Sequence, residues 1–243
     1  MLYNLKQDLP DHRDRVFLKT APTPLPSLVD LRPAMPPIYN QGDIGSCTAN
    51  AIAGQIQFLT KTYVPSRLFI YYNERAAQGD PSQDSGSTLR IGMKTTQTFG
   101  ACPETDWVYD HENLFLKPTA TCYIHGLPDR VHSYNRIITG PSSLDQVKIS
   151  LTHSLPVSMG FVVYPSFESE YTAKTGIMLM PALNEAPIGG HAVLIVGYDD
   201  DKSSVIVRNS WGADWGLAGY FYMPYNILTN QQFVMDLWVI DVV

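Results

Sequence analysis

Residues 41–63 read QGDIGSCTANAIAGQIQFLTKTY, a polar turn with two glycines that runs into an apolar segment. From Ser46 onward, apolar side chains recur three or four positions apart, as on the buried face of an α-helix, and Pro65 ends the pattern. Cys47 therefore begins a predicted, largely buried helix. A helix N-terminus carries unpaired N–H groups and partial positive charge, which favour a thiolate over a thiol. Cys47 is thus a candidate nucleophile, although a lone cysteine at a helix start is more often a core residue.

The composition describes a globular chain with no electrostatic signature for polyanions. The chain has 243 residues, 44% of them hydrophobic, and a formal net charge of −6 with no run of Lys or Arg. Such a chain can bury a sizeable core, and its scattered charges argue against nucleic acid as a partner. The first thirty residues lack the apolar run of a Sec signal peptide, and no segment has the length of a membrane span. We therefore expect no membrane partner, and a cytoplasmic location unless another export route is used.

Hydrophobic periodicity divides the chain into a helical first part and a β-rich second part. Besides the helix from Cys47, helices are predicted at Leu68–Ala77, Leu89–Phe99 and Leu144–His153. Runs of β-branched and aromatic residues predict strands at Val157–Val163, Ala192–Tyr198, Val205–Val207, Tyr220–Met223 and Leu237–Val242. Six prolines between residues 20 and 37 predict an extended segment lying on the surface. The pattern indicates an α+β fold with an antiparallel barrel or sheet and a cleft between its halves.

Three further polar side chains could complete a site around Cys47. His191 follows two glycines and opens a buried strand, and Asn209 ends the next strand. Asn209 can accept a hydrogen bond from one imidazole nitrogen and leave the other nitrogen free for the sulfur. Gln41 and the backbone N–H of Cys47 could stabilise the negative oxygen that forms when a thiolate attacks a carbonyl group. Taken singly, His191 is more often an ordinary strand histidine, and Asn209 more often a turn residue.

The remaining cysteines and the acidic runs raise the questions of a disulfide and of a metal site. Cys102 and Cys122 flank a loop of nineteen residues, whose closure by a disulfide would stabilise the protein by about 3 kcal/mol. A reducing compartment would keep both as thiols, so the pair is a candidate disulfide only. The six histidines and three cysteines show neither CxxC nor HExxH spacing for zinc. A polar hairpin explains Asp199–Asp201 better than a calcium site does, and we expect neither a metal nor a cofactor.

Together these motifs resemble the papain and cathepsin family of cysteine peptidases. Gln41 stands six residues before Cys47, and His191 lies 144 residues after it. Asn209 begins an Asn-Ser-Trp-Gly segment that is followed by a second Trp-Gly pair and by Gly-Tyr. The short N-terminus and the QGxxGSC turn are similar to those of the compact bacterial and viral relatives.

Two positions depart from the family's pattern. Ile44 occupies the place of the usual half-cystine, and Thr48 replaces the aromatic residue that commonly follows the nucleophile. The usual left-domain disulfides are missing as well. In addition, residues 84–88 take the place of the family's glycine pair that binds the substrate backbone, which leaves Gly86 and Ser87 as the corresponding residues.

The resemblance implies a papain-like fold of two subdomains with the active-site cleft between them. A helical left subdomain, approximately residues 38–135, would carry Cys47. An antiparallel, β-barrel-like right subdomain, approximately residues 136–243 plus the N-terminal arm, would carry His191 and Asn209. Residues 1–27 would form an N-terminal extension or short propeptide that packs against the peptidase domain, residues 28–243, and partly covers the cleft.

The resemblance also implies which residues contact the substrate. Trp211 would shield the bond between Asn209 and His191 from water. The other expected contacts are small residues along the cleft, namely Gly86, Ser87, Thr88, Gly160, Gly190 and Ala192. Met235 or Asp236 would narrow or charge the far end of the pocket.

These expectations describe a monomeric cysteine endopeptidase that hydrolyses peptide or protein substrates through a thioester acyl-enzyme. Two alternatives share the fold. A papain-shaped binding protein without catalysis would not need Gln41, Cys47, His191 and Asn209 together. A Cys-His acyltransferase would form the same thioester but pass the acyl group to an amine, and the NSWGxxWG segment favours the peptidase.

Overall fold

The computed structural model describes residues 2–22 and 24–242 and has the expected α+β architecture. The helices of the described residues are α1 (Cys47–Thr60), α2 (Arg67–Gln78), α3 (Leu89–Phe99), α4 (Ala120–Gly126), α5 (Ser143–Thr152), α6 (Glu170–Thr175) and α7 (Tyr225–Leu228). The strands are β1 (Leu28–Asp30), β2 (Ser133–Ile137), β3 (Val157–Val163), β4 (Gly189–Asp199), β5 (Ser204–Arg208), β6 (Tyr220–Pro224) and β7 (Val234–Asp241). Single 3-10 turns lie at Arg32–Ala34, His111–Asn113, Leu127–Asp129 and Pro165–Glu168.

Helix α1 is enclosed by the rest of the molecule, and every residue from its start to Ile56 is buried. One face packs on β4, and Gly54 permits the close approach. A Cβ atom at Gly54 would lie 3.4 Å from Nε of Arg208 and 3.6 Å from Cδ2 of Leu194. The helix ends where Lys61 adopts a left-handed conformation with φ of 55°. The predicted helix from Cys47 is thereby confirmed.

The next two helices begin at side-chain caps and end near glycines. The Ser66 hydroxyl accepts a hydrogen bond from the backbone N–H of the third residue of α2, and the Thr88 hydroxyl does the same for α3. Gly79 and Gly100 follow the two helices with φ of 85° and 68°, which glycine adopts without steric strain. The predicted helices that correspond to α2, α3 and α5 are confirmed to within one residue at each end.

All strands belong to one antiparallel sheet, whose main path has the order β2-β7-β3-β4-β5-β6. Strand β1 pairs with the end of β4 beyond the point where β3 stops, with Val29 opposite Tyr198. The sheet stays open rather than closing like a barrel, because β2 and β6 do not pair within the described residues. The outer strands instead meet single residues of other segments: Val16 bridges to β2, and Ile177 and Leu217 bridge to β6. These bridges occupy part of the edges that would otherwise meet.

The proline-rich segment lies on the surface as predicted, since none of its described residues is buried, and part of it also joins the sheet. Its residues 28–30 form β1 and are integrated in the sheet. The carbonyl groups of Pro36 and Pro37 accept hydrogen bonds of 2.6 Å each from the guanidinium of the buried Arg208. A proline has a backbone carbonyl acceptor but no N–H donor. These two prolines therefore accept hydrogen bonds from the buried guanidinium and have no N–H group that needs a partner on another strand.

Two large hydrophobic cores lie on either side of the cleft, and the buried Gln55 side chain links helix α1 to the sheet between them. The core of the helical side includes Ile52 and Phe69, and the core of the sheet side includes Phe161 and Leu237. Between them, Gln55 of α1 donates from Nε2 to the carbonyl oxygen of residue 156 at 2.7 Å. Its Oε1 accepts a hydrogen bond of 2.6 Å from the hydroxyl of residue 158 on β3. This joint fixes α1 against the sheet below the cleft.

The described helices include none whose length and apolar character would suit a membrane crossing.

Candidate active site

Cys47 is the first residue of α1, and its side chain is completely buried. Its sulfur lies next to β4, where the backbone N–H of Ala192 points toward it, and the N–H groups of Thr48 and of Cys47 itself face the sulfur from the helix. Three N–H groups directed at one sulfur are the arrangement that stabilises a thiolate at a helix N-terminus. The α1–β4 packing therefore brings Cys47 beside the residue that follows His191.

His191 and Asn209 are joined by a buried hydrogen bond between Nε2 and Oδ1 at 2.9 Å. Oδ1 of Asn209 also accepts the backbone N–H of Ser210 at 2.8 Å, which fixes the amide oxygen toward the imidazole. Since Oδ1 is an acceptor, Nε2 of His191 carries the hydrogen. Nδ1 of His191 is buried and has no hydrogen-bond partner in the described part of the chain. The unprotonated Nδ1 is therefore the nitrogen that can accept a proton from the Cys47 thiol.

Gln41 connects the turn before α1 to the loop that carries Asn209. Its backbone N–H donates to the carbonyl of Ser210 at 2.8 Å, and its Oε1 accepts the Ser210 hydroxyl at 2.6 Å. Nε2 of Gln41 donates one hydrogen to the carbonyl of Ile44 at 3.0 Å. An amide nitrogen has two hydrogens, so one remains for a substrate oxygen. The amide side chain is held by its oxygen, which leaves its nitrogen oriented as a donor.

An aromatic cluster covers the imidazole of His191. The Trp211 ring is stacked on it, with centroids 5.0 Å apart and an interplanar angle of 27°. Phe167 and Trp215 pack against Trp211 in turn, at centroid distances of 5.5 Å and 5.0 Å. Apolar rings over His191 can reduce the access of water to its hydrogen bond with Asn209, and the shielding role of Trp211 stays a prediction.

Residues 2–17, here called the cleft segment, begin at this site and run from it to the edge strand β2. The N–H of Leu5 donates to the carbonyl of Gly190 at 3.2 Å, and the N–H of Lys6 donates to the carbonyl of Ser87 at 2.9 Å. The two halves of the cleft are therefore bridged by consecutive residues of the segment. Gly190 has to be small, because a Cβ atom there would lie 2.7 Å from the carbonyl oxygen of Leu5.

Two side chains of the cleft segment enter the site. Leu5 is 6% exposed and fills the space beside Gly160, where a Cβ atom would come within 2.8 Å of its Cδ2. Met235 also lies in van der Waals range of Gly160 and Gly190, so it lines the same pocket. The Tyr3 ring contacts His191 edge-on, with centroids 6.1 Å apart, and its hydroxyl donates to Glu168 at 2.5 Å. No local pattern in the sequence indicates these contacts.

The small residues expected to contact substrate divide into three groups. Gly190 and Ser87 hold the backbone of the cleft segment, and Gly86 lies directly beneath Asn4, which a Cβ atom at Gly86 would clash with. Ala192 faces the sulfur with its N–H. Thr88 does not reach the cleft segment by any hydrogen bond of the described residues, and its hydroxyl caps α3 instead. The expectation that Thr88 lines the pocket stays a prediction.

Burial in the folded protein sets the charge state of the reactive pair. Burial raises the pKa of the Cys47 thiol to about 12, although the surrounding N–H groups lower it. Burial also lowers the pKa of His191 to about 4, although the bond to Asn209 raises it. Near neutral pH the covered pair is thiol plus neutral imidazole. The ionic pair that attacks a carbonyl needs the solvation that the covered site lacks.

A buried carboxyl group that sequence reasoning missed lies below the nucleophile. Oε2 of Glu74 accepts the Thr48 hydroxyl at 2.6 Å, while Oε1 has no hydrogen-bond partner in the described part of the chain. Burial raises the pKa of Glu74 to about 8, against the opposing effects of Thr48 and Arg75. Gly92 of α3 makes room for this carboxyl, because a Cβ atom there would lie 2.5 Å from Oε1. Thr48, the departure from the family pattern, is thus the partner of a neutral acid.

The two other cysteines are free, buried thiols that pack together outside the catalytic pair. Cys122 hydrogen-bonds to the Thr119 hydroxyl at 3.3 Å, and burial together with the Cys122 side chain raises the pKa of Cys102. The disulfide between them stays a prediction. Among residues 2–22 and 24–242, no group of three or more His, Cys, Asp or Glu side chains is arranged to hold a metal ion.

Comparison with known proteins relates the chain to one family. Residues 25–236 match the model of the papain family cysteine proteases. The chain is 41% identical over 213 residues to an uncharacterized peptidase C1-like protein of Acanthamoeba polyphaga mimivirus, covering 83% of this chain and 68% of that relative. It is 25% identical to the viral cathepsin of Epiphyas postvittana nucleopolyhedrovirus, over 78% of this chain and 56% of that relative. These curated relatives are thus considerably longer than the part that this chain matches.

Solved structures agree with this relationship. Xylellain, a cysteine protease from Xylella fastidiosa, superposes with a TM-score of 0.91 at 37% identity and covers 99% of this chain and 96% of its own. Digestive procathepsin L2 from the larval midgut of Tenebrio molitor has a TM-score of 0.75 at 21% identity, covering 98% of this chain and 77% of its own. The latter similarity concerns the fold alone.

Proposed function

The chain belongs to the papain family of cysteine proteases, and we propose that it is an endopeptidase with Cys47 as nucleophile, His191 as its acid–base partner, Asn209 as the group that orients His191, and Gln41 as an oxyanion donor. The observation that carries this assignment is the buried Nε2–Oδ1 bond of 2.9 Å, which leaves Nδ1 of His191 without a partner among the described residues. Roles of this kind follow from geometry, since a base must have one nitrogen held and the other free.

The reaction begins with transfer of the thiol proton from Cys47 to Nδ1 of His191. The thiolate then attacks the carbonyl carbon of the scissile bond, and the carbonyl electrons move to the oxygen. The N–H of Cys47 and the free Nε2 hydrogen of Gln41 stabilise that oxygen. When the tetrahedral intermediate collapses, the imidazolium gives its proton to the leaving amine and a thioester remains. Water, deprotonated by His191, hydrolyses the thioester and restores the thiol.

Labelling and turnover test these roles together. The protein is incubated with an irreversible thiol-directed epoxide, mapped by peptide mass spectrometry, and assayed on an unstructured polypeptide. We expect labelling at Cys47 with loss of cleavage, and no cleavage by Cys47→Ser. Cys102→Ser is the matched control, because it removes a buried thiol outside the site and should leave cleavage intact. Labelling of Cys47 in a protein that never cleaves peptides would instead support a binding protein.

We further propose that the cleft segment inhibits the enzyme in cis, as a short propeptide would. Leu5 and Lys6 use the backbone acceptors of Gly190 and Ser87, which an extended substrate would need. The Tyr3 ring of the segment also packs edge-on against His191 and so restricts the approach of a substrate to the imidazole. In the described part of the chain, Nε2 of Gln41 donates to Ile44 and to no carbonyl of the cleft segment. The segment can therefore occupy the cleft without offering a peptide bond to the oxyanion donors, and loosening Leu5 should raise activity.

A further inference from the structure

The cleft segment is fastened to the rest of the protein by a cluster of five charged side chains outside the catalytic centre. This group, here called the anchor cluster, consists of Asp8 and Asp14 from the segment, Arg90 from α3, Arg136 from β2 and Asp236 from β7. The side chains of Asp8 and Asp236 have no exposed surface, and that of Arg90 is 9% exposed. The cluster is thus enclosed, and its enclosure depends on the segment being in place.

Asp8 is the centre of the contacts between the segment and the domain. Its backbone N–H donates to Oδ2 of Asp236 at 3.0 Å. Its Oδ1 accepts the backbone N–H of Arg90 at 3.2 Å, and its Oδ2 accepts the indole N–H of Trp238 at 2.9 Å. The nearest guanidinium nitrogen, on Arg90, is 4.0 Å away. Asp8 therefore has hydrogen-bond donors but only a distant cation.

The two arginines are engaged mainly by the other two carboxylates. Arg90 contacts Asp14 through Nε at 2.9 Å and Nη2 at 2.5 Å. Arg136 contacts Asp14 at 3.1 Å and Oδ1 of Asp236 at 2.8 Å. Three carboxylates thus face two guanidinium groups, which leaves one excess negative charge in an enclosed space when all are ionised. An unbalanced buried charge is costly, and uptake of a proton removes it.

Other charged groups near the cluster do not supply the missing positive charge. Asp11 and Arg13 form an exposed pair at 2.7 Å that is neutral as a whole. Lys94 and His132 line an open depression of about 410 Å³ beside Asp14, together with Arg15 and Tyr134. Charges in contact with water are screened and balance a buried carboxylate poorly.

We propose that closing of the cleft segment is coupled to the uptake of one proton by the buried Asp8–Asp236 carboxyl pair, so that the anchor cluster holds the segment more tightly as the solution becomes more acidic. The inference rests on the proposed inhibition by the segment and assigns its regulation to a site away from the catalytic pair. The proton taken up on closing is released to solvent on opening, when Asp236 keeps Arg136 as a partner and regains water.

The direction of the effect follows from the two states of Asp236. With the segment closed, burial and the neighbouring Asp8 carboxylate raise the pKa of Asp236 to about 7, although the Asp8 N–H, Arg136 and Arg90 lower it. With the segment open, the loss of burial and of Asp8 returns the pKa toward the ordinary value of 3.8. A raised pKa in the closed state favours closing at low pH, and this preference is lost as the pH rises through about 7. One proton changes the closing equilibrium by up to about tenfold per pH unit.

His191 opposes this effect and has to be separated from it. Its pKa is lowered by burial, so its protonation favours opening of the segment as the pH falls. A comparison between proteins that differ only at Asp236 cancels this contribution, because both retain His191 and Tyr3. The same comparison cancels the pH dependence of the chemical steps.

Hydrogen exchange provides a readout that does not depend on catalysis. Protection factors of the Leu5 and Lys6 amides are measured between pH 5 and 8 in the full chain carrying Cys47→Ser, with and without Asp236→Asn. The ratio of interest is the protection with Asp236 intact divided by the protection in the Asp236→Asn variant. We expect this ratio to fall by up to about tenfold per unit from pH 5 to 7 and to level off above. Asp241→Asn, an exposed carboxyl on the same strand, is the matched control and should leave the dependence unchanged.

Two results would overturn the proposal: a ratio that is constant with pH, or one that rises with pH. If Asp236→Asn fails to fold, Asp8→Asn takes its place as the reference variant, because it changes only the segment. Protection of the Leu5 and Lys6 amides in Asp8→Asn should then lack the fall between pH 5 and 7. If the ratio falls with pH but the protein with Cys47 intact never cleaves peptides, the result would support proton-coupled closing and count against the endopeptidase. If the protein with Cys47 intact cleaves peptides but the protection ratio is constant with pH, the result would count against the coupling and not against the endopeptidase.

Discussion

The hydroxyl of Ser210 donates to Oε1 of Gln41 at 2.6 Å and so joins the proposed oxyanion donor to the loop that carries Asn209. The two residues are 169 positions apart, and their backbones also meet through the N–H of Gln41 and the carbonyl of Ser210. The two sides of the cleft are therefore connected next to the proposed catalytic groups. A change at Ser210 is transmitted to both the oxyanion donor and the residue that orients His191.

Replacing Ser210 with alanine should reduce catalysis by roughly tenfold, because a lost buried hydrogen bond is worth about 1–2 kcal/mol. The fall should appear in kcat with little change in KM, since the oxyanion forms only in the transition state. Steady-state kinetics on an unstructured peptide measure both. Ser204→Ala, which removes a hydroxyl that donates to the Lys202 carbonyl in a hairpin, should have no such effect. Equal losses in both variants would contradict this role of Ser210.

Leu5→Asp should raise activity, because a charge cannot occupy the apolar pocket beside Gly160 and Met235. Burial of a leucine side chain contributes about 1.5–3 kcal/mol, so the open fraction should grow by roughly tenfold or more. Initial rates at low substrate concentration report this increase. Leu9→Asp makes the same exchange in the same segment at a residue that is 80% exposed, and it should change little. Lower activity in Leu5→Asp would refute inhibition by the segment.

Glu74 should make the folded protein less stable as the pH rises. Burial raises its pKa to about 8 from the ordinary 4.5, so the unfolded chain ionises first. Its contribution is fully present below about 4.5 and is lost as the pH rises through about 8. Between these limits, Glu74→Gln should gain stability relative to the parent protein by up to about 1.4 kcal/mol per pH unit. Urea unfolding at pH 5 and pH 7.5 tests this, and an identical difference at both pH values would contradict it.

Cys102 and Cys122 should form a disulfide under oxidising conditions, since their buried side chains already pack together. Intact mass would then fall by two hydrogens relative to the reduced protein, and alkylation would leave these two residues unmodified. Cys122→Ser is the control that cannot form the bond. Two free thiols after prolonged oxidation of the folded protein would remove the disulfide from consideration.

Long, strongly periodic elements could be predicted from the sequence, and short ones could not. Helix α1 and strands β3 and β4 have apolar patterns of seven residues or more, so local preference and tertiary packing agree. Strand β1 has three residues within a proline-rich segment and exists because β4 offers it an edge. Helix α6 has six residues and depends on its Ser169 cap. Neither has enough local pattern to be recognised.

The four motif residues of the candidate site and an N-terminal extension over the cleft could be predicted from the sequence, but the individual contacts of that extension could not. Gln41, Cys47, His191 and Asn209 stand in motifs whose spacing is visible in the sequence, and packing of α1 on β4 brings the two halves of the site together. The contacts of the cleft segment with β4 and β7 join residues more than 180 positions apart. No periodicity connects such positions, since their proximity arises from the packing of the whole chain. The role of Thr88 in the pocket stays a prediction, since its hydroxyl caps α3 while its methyl group is free to face a pocket.

The Gln55 joint has a consequence for how substrates could enter. The Gln55 amide group hydrogen-bonds to the Pro156 carbonyl and to the Ser158 hydroxyl. If the two halves moved apart, these three buried polar groups would all lose their hydrogen-bond partners. Substrate entry should therefore require the cleft segment to detach, while the width of the groove stays the same. A groove of this kind admits an unwound stretch of polypeptide more readily than a folded surface.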